Sequence, residues 1–280
     1  MNKEYMMGKV ICDTNVWYYL GSGKIAEGLV KNYKLVATWV NIVELGYAHP
    51  RTKIDFSIKD WKNAARAILM YSDEIIELDP FEFSTEKIYP GHFQHKNRDL
   101  QEVLRIISDS DNTLKEEQYK SNEKYFDMYM RIKDGFKATI ENYRTESRPQ
   151  IVSSKTAKQK YKDSQEIEAL ERVKEVIWDV EEYIKRDHKK IIEFDNETEK
   201  SSYFNHTYSS FKFHILTKQR YLRNILLQGK MSIHPNDFGD LTNLLYVGKS
   251  EQYWTEENRW SSIIKEAGLG DRLITRQILN

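Results

Sequence analysis

Gly8-Lys9-Val10-Ile11-Cys12 runs into Asp13-Thr14-Asn15. Continuous apolarity over so few residues predicts a buried strand, and Asp13-Thr14-Asn15 breaks it before a helical pattern from Val16. Lys34 to Val40 reads as a second strand, leading through Asn41 into Ile42-Val43-Glu44-Leu45. Ser57-Ile58-Lys59-Asp60 offers a helix start, followed by Trp61, Ala65, Ile68 and Leu69 at helical spacing. Glu74 to Leu78 reads as a third strand, stopped by Asp79-Pro80. Strand, helix, strand, helix, strand is the order of a parallel sheet covered by helices.

From residue 84 the texture changes. Leu100, Val103, Leu104 and Ile107 form one helical stripe, and Tyr125, Met128, Tyr129, Ile132, Phe136 and Ile140 a second. Ile167, Leu170, Val173, Ile177, Val180 and Ile184 form a third. Such stripes predict packed helices and carry no chemistry of their own. Thr145 to Ser164, rich in Lys, Ser and Gln and containing Pro149, reads as a loop or linker. After Lys230 the α/β texture returns. His234-Pro235-Asn236-Asp237 leads into a helix, Gln252 to Thr255 is a short strand, and Trp260 to Ala267 is a helix stopped by Gly268. Leu273 to Ile278 is a last edge strand. The expected fold is α/β, a three-layer α/β/α unit on a central parallel sheet, interrupted by a long, mainly α-helical insertion. Residues 1–83 and 231–280 form the two parts of the unit, and 84–230 the insertion.

The whole chain has 280 residues, with 43 Lys and Arg against 43 Asp and Glu, 18 Tyr, 11 Phe and 6 Trp. That composition argues against disorder. No apolar run reaches the length of a membrane span, no secretory leader is visible, and the single cysteine, Cys12, excludes an internal disulfide. A cytoplasmic protein is expected. Zero net charge conceals a basic C-terminal part: residues 201–280 carry ten basic and seven acidic side chains. No acid lies between Lys200 and Asn236, while Lys212, Lys218, Arg220 and Arg223 alternate with Tyr203, Tyr208, Phe211, Phe213 and Tyr221. Cations over phosphates and rings under bases suit a single-stranded nucleic acid, with Lys218, Arg220 and Arg223 as its candidate ligands. The plainer reading of 200–230 is an amphipathic helix with Tyr221, Leu222, Ile225 and Leu226 inward.

Asp13, Glu44, Asp240 and Glu257 share one kind of position, at strand ends or helix starts. In an open parallel sheet the carboxyl ends of the strands face one crevice, where ligands bind. Converging carboxylates repel, and a hard divalent cation such as Mg²⁺ or Mn²⁺ relieves them.

Val10-Ile11-Cys12-Asp13-Thr14-Asn15-Val16 followed by Trp17 resembles the opening motif of PIN domains. Thr38-Trp39-Val40-Asn41-Ile42-Val43-Glu44-Leu45 resembles their second motif, Asn236-Asp237-Phe238-Gly239-Asp240-Leu241 their third, and Trp254-Thr255-Glu256-Glu257-Asn258 their strand ending in Thr-x-Asp. The resemblance covers about residues 8–80 and 231–280. It implies a PIN-like fold and a metal-dependent nuclease, an endoribonuclease more than a DNA nuclease, with Mg²⁺ or Mn²⁺ held by Asp13, Glu44, Asp240 and Glu257. Glu257 stands where the family usually has Asp. Asn15 and Thr255 would fix the carboxylates, and Asp237 and Glu256 are alternates for the third and fourth positions. RNA is then the expected partner. A PIN-fold scaffold without activity, binding a protein through the insertion, is the alternative, and self-association is left open.

Each acid also has a plainer role available: helix N-cap for Asp13, solvated helix residue for Glu44, helix-dipole complement for Asp240, and first-turn residues after a Thr255 cap for Glu256 and Glu257. Gly21-Ser22-Gly23-Lys24 lacks the Gly and the Ser or Thr of a phosphate loop. His92 and His95 have no cysteines to complete a zinc site. No Gly-x-Ser-x-Gly elbow is present.

Overall fold

The computed structural model describes residues 8–47, 58–88, 90–91, 100–109, 116–163, 196–228 and 231–276. Its strands are β1 (Lys9–Cys12), β2 (Lys34–Thr38), β3 (Ser72–Ile76), β4 (Gln252–Trp254) and β5 (Leu273–Ile274). They form one parallel sheet in the order β3-β2-β1-β4-β5. Ile11 lies opposite Val36 on one side and Tyr253 on the other, and Cys12 opposite Trp254. Successive residues Val10, Ile11 and Cys12, and Leu35, Val36 and Ala37, are all buried. Because neighbouring side chains point to opposite faces, the sheet is covered on both. The expected α/β fold on a central parallel sheet, with a helical insertion, is what the chain adopts.

The helices are α1 (Thr14–Gly21), α2 (Glu27–Val30), α3 (Trp39–Tyr47), α4 (Ile58–Tyr71), α5 (Pro80–Ile88), α6 (Leu100–Asp109), α7 (Glu116–Val152), α8 (Lys155–Asp163), α9 (Glu197–Gln228), α10 (Asp237–Asn243) and α11 (Asn258–Glu266). Several boundaries differ from the sequence reading. The helix after β1 starts at Thr14, not Val16, and β2 stops at Thr38 because Asn41 Oδ1 takes the Thr38 amide at 2.8 Å and turns the chain into α3. β3 begins two residues early, and β5 is two residues long. Gly268, at φ +76°, ends α11 as expected, its left-handed conformation letting Leu269 N reach Ile264 O. Gly21 abuts the backbone of Asn63 and Ala64 on α4, where no side chain fits. Close helix packing accounts for that glycine.

Of the stretch read as a loop from Thr145 to Ser164, the described residues 145–163 are not a loop. They contain the end of α7, with Pro149 inside the helix, and α8, separated only by bends at Ser153 and Ser154. Lys and Gln are good helix formers, and the polar texture is that of a solvated helix face. Tertiary contacts hold this end of α7: Arg148 donates to Leu226 O and Arg144 to Met231 O, both at 3.2 Å. Residues 200–228 take the plainer form. In α9, Phe213, Tyr221, Ile225 and Leu226 are fully buried and Leu222 is packed against the core. The stripe from Ile167 to Ile184 lies outside the described residues, as do His92 and His95. Among the described residues, no helix is long and apolar enough to cross a membrane.

Candidate metal centre

β1 is the strand where the sheet order reverses, with β2 on one side and β4 on the other. The crevice at that switch point lies outside the carboxyl ends of the strands. Asp13 follows β1, and its amide continues the ladder by donating to Trp254 O at 2.9 Å. Glu257 comes three residues after Trp254, at the N-terminus of α11. The register that pairs Cys12 with Trp254 thus carries both acids to one edge. Asp240 reaches the same place from α10. Asp13, Asp240 and Glu257 each offer one carboxylate oxygen, and these atoms lie within 4.8 Å of one another. Asp13 is 3% exposed.

Neutral donors orient all three. Thr255 Oγ1 donates to Asp13 Oδ2 at 2.8 Å and accepts the Glu257 amide at 3.2 Å. Trp260 Nε1 donates to Asp240 Oδ2 at 2.7 Å. Asn15 Nδ2 donates to Glu257 Oε1. Burial, followed by the charge of Glu257, pushes Asp13 up to about 7 from an ordinary 3.8, against the pull of the Thr255 hydroxyl. Burial raises Asp240 as well, with Asp13 and Glu257 adding to it, and burial raises Glu257. Asp13 and Glu257 occupy N-cap positions, but neither side chain makes a capping hydrogen bond. Helix capping therefore does not account for them.

Glu44, on α3, is beside this group but outside the three. Its Oε2 accepts from Thr14 Oγ1 at 2.6 Å, and its Oε1 faces the Tyr129 hydroxyl at 3.4 Å and Lys133 Nζ at 3.6 Å. Its charge still raises Asp13 and Asp240. Behind it lies a buried polar network. Asn41 Nδ2 donates to Thr14 Oγ1 at 3.1 Å, Thr38 Oγ1 to Asn243 Oδ1 at 2.6 Å, and Asn243 Nδ2 to Cys12 O at 3.1 Å. These bonds tie β1, α1, α3 and α10 into one support.

The alternates are engaged elsewhere. Asp237 pairs with Arg259 at 2.7 Å and accepts the Tyr221 hydroxyl at 2.7 Å. Glu256 pairs with Arg276 at 2.7 Å and accepts from Trp254 Nε1 at 2.7 Å. Of the expected nucleic-acid ligands on α9, Arg220 pairs with Glu266 at 2.8 Å, and Lys218 and Arg223 also have interactions within the chain. Phe211, Phe213 and Tyr221 are buried and have no free face for a base.

Sequence reasoning missed the contribution of the insertion. Trp39, Tyr129, Phe238, Phe136, Tyr221 and Trp260 follow one another in ring contacts with centroids 5.3–6.5 Å apart. This aromatic chain joins α3, α10 and α11, which carry Glu44, Asp240 and the donor Trp260, through α7 and α9. Tyr129 and Phe136 read only as packing in the sequence. Lys133 follows Tyr129 by four residues and so shares its helix face, which was the available signal. Gly239 lies so close to the Glu44 carboxylate and the Tyr129 hydroxyl that an added Cβ would collide with both.

No family model, no curated protein and no solved structure matches the chain.

Proposed function

We propose that the protein is a divalent-metal-dependent nuclease of PIN type, acting on RNA in preference to DNA. The observation that carries this reading is the meeting of Asp13, Asp240 and Glu257 at the switch point of a parallel sheet, each oriented by a neutral donor. A set of carboxylate oxygens suits Mg²⁺ or Mn²⁺. A divalent cation there supplies an activated water and charge stabilisation for the oxygen leaving phosphorus. The chain's own residues do the rest. Thr255, Trp260 and Asn15 fix the three carboxylates, and orienting partners of this kind sustain metal affinity. Glu44, held by Thr14, Tyr129 and Lys133, adds negative potential without a fixed place among the ligands. His214 is not a base for this site: burial, with Lys218 nearby, pushes it down to about 3, and its Nδ1 is bonded to Leu241 O at 2.8 Å. The preference for RNA rests on the sequence resemblance, and a cytoplasmic location accords with the one buried, unpaired cysteine.

The test is cleavage of labelled single-stranded RNA and DNA with Mn²⁺, Mg²⁺ or EDTA, by the wild type and a folded Asp13→Asn variant. Metal-dependent cleavage by the wild type alone supports the proposal. Absence of both cleavage and Mn²⁺-induced stabilisation favours the scaffold reading.

A further inference from the structure

We infer that Lys133 takes the place of a second cation, so that the centre accepts one divalent ion. The inference rests on the metal-centre reading above. Glu44 brings a fourth negative charge to the group, close enough to raise Asp13, Asp240 and Glu257. Standing outside the trio of Asp13, Asp240 and Glu257, Glu44 is the carboxylate left over for a second ion. Both of its oxygens are already committed, Oε2 to Thr14 and Oε1 to Tyr129 and Lys133.

Lys133 is unusual for its place. Its neighbours Arg131 and Ile132 are exposed on α7, whereas the Lys133 side chain is 13% exposed and that of Glu44 19%. Covering an ammonium is costly unless an opposite charge meets it. Here the ammonium lies 3.6 Å from Glu44 Oε1, and partial exclusion of water strengthens the attraction. Among the described residues the hydrogen bonds to the other three carboxylates come from neutral donors. The charge of Arg259 reaches Glu257, but Arg259 is ion-paired with Asp237, so the cation paired with this group is Lys133, on Glu44. Lys133 is thus a positioning residue. It neutralises Glu44 and holds it back, leaving Asp13, Asp240 and Glu257 to bind one ion. The long helix of the insertion sets the metal count of a site on the sheet.

The experiment is a Mn²⁺ titration of the full chain, counting bound ions from the electron paramagnetic resonance signal of free Mn²⁺. Wild type, Lys133→Met, Lys133→Arg, Glu44→Gln and Asp13→Asn are compared. The wild type should bind one ion. Lys133→Met should bind a second, or bind the first at least tenfold more tightly, and Lys133→Arg should restore the wild-type count. Glu44→Gln should still bind one ion within a fewfold of wild-type affinity, which keeps the idea testable if the Met variant does not fold. Two ions in the wild type overturn the inference, as does loss of the ion in Glu44→Gln or a Lys133→Met titration identical to wild type. No Mn²⁺ on the wild type overturns the metal centre itself. That failure is distinct from an ion present but indifferent to Lys133.

Discussion

Thr255 donates its hydroxyl to Asp13 Oδ2 at 2.8 Å, joining positions 242 residues apart in the chain. Thr255 Oγ1 also accepts the Glu257 amide, so one buried side chain orients one acid and fixes the backbone of another. Thr255→Val keeps the shape and removes both bonds. The expected loss is about 1–3 kcal/mol of stability. Mn²⁺ affinity should fall about 10–100-fold. Urea unfolding and Mn²⁺ titration measure the two effects. A variant with wild-type metal affinity contradicts the orienting role.

Asp13 gives the pH dependence its sign. Its folded value is raised to about 7 from an ordinary 3.8, so between those values the folded state holds a proton that the unfolded chain has released. Without metal, this group's contribution to stability is greatest in acid and declines as pH rises from about 4 to 7. His214 acts the opposite way: lowered to about 3 from 6.5, it costs stability as pH falls through that range. Asp13→Asn leaves His214 in place and removes the Asp13 effect together with the push that Asp13 exerts on Asp240. In EDTA the variant should gain on the wild type as pH rises from 5 to 7.5, by on the order of 2–3 kcal/mol. Mn²⁺ stabilises the wild type increasingly over the same range, because ligands lose protons on binding, and should do little for the variant. Denaturant melts at the two pH values, with EDTA or Mn²⁺, check the sign.

Gly239 is a matter of space. Gly239→Ala puts a methyl group against the Glu44 carboxylate and the Tyr129 hydroxyl, so that these side chains or α10 must shift. A loss of about 1–3 kcal/mol is expected. Asp240 lies on the same helix, so Mn²⁺ affinity should fall as well. Unchanged thermal stability would show that the Glu44 side chain yields freely.

Arg220 can be tested for nucleic-acid binding apart from its ion pair. Charge reversal, Arg220→Glu, disrupts the pairing with Glu266 and should weaken RNA binding. Adding Glu266→Arg restores an opposite-charge pair. If Arg220 touches phosphate, the single variant's salt slope falls by about 1. Filter binding over a range of salt distinguishes that from structural rescue, in which the double variant binds with the wild-type slope.

The sheet was legible because parallel strands buried on both faces read as short continuous apolar runs, as Val10-Ile11-Cys12 and Leu35-Val36-Ala37 do. Asp13, Asp240 and Glu257 were named for a related reason: positions just past strand ends converge in this architecture. The alternates Asp237 and Glu256 could not be set aside from sequence, since their partners, Arg259 and Arg276, lie 22 and 20 residues away and only the fold pairs them. Lys133 and the aromatic chain were hidden because helical periodicity shows that a face is buried without showing against what. The helix through Thr145–Val152 was hidden for the opposite reason, since a mostly solvated helix has little apolar pattern.

The pairing of β1 with β4 also has a consequence for synthesis of the chain. β2 and β3 follow β1 closely, but β4 arrives after residue 251, so the central strand is made with one side of its ladder unfilled. An emerging chain has Asp13 and Glu44 long before it has Asp240 or Glu257. Contacts of such sequence separation form slowly, and an uncovered strand edge invites pairing with other chains. A ribosome-bound chain halted just before β4 has Asp240 but is without Glu257, and it carries an adhesive edge. It should depend on chaperones until β4 and β5 emerge.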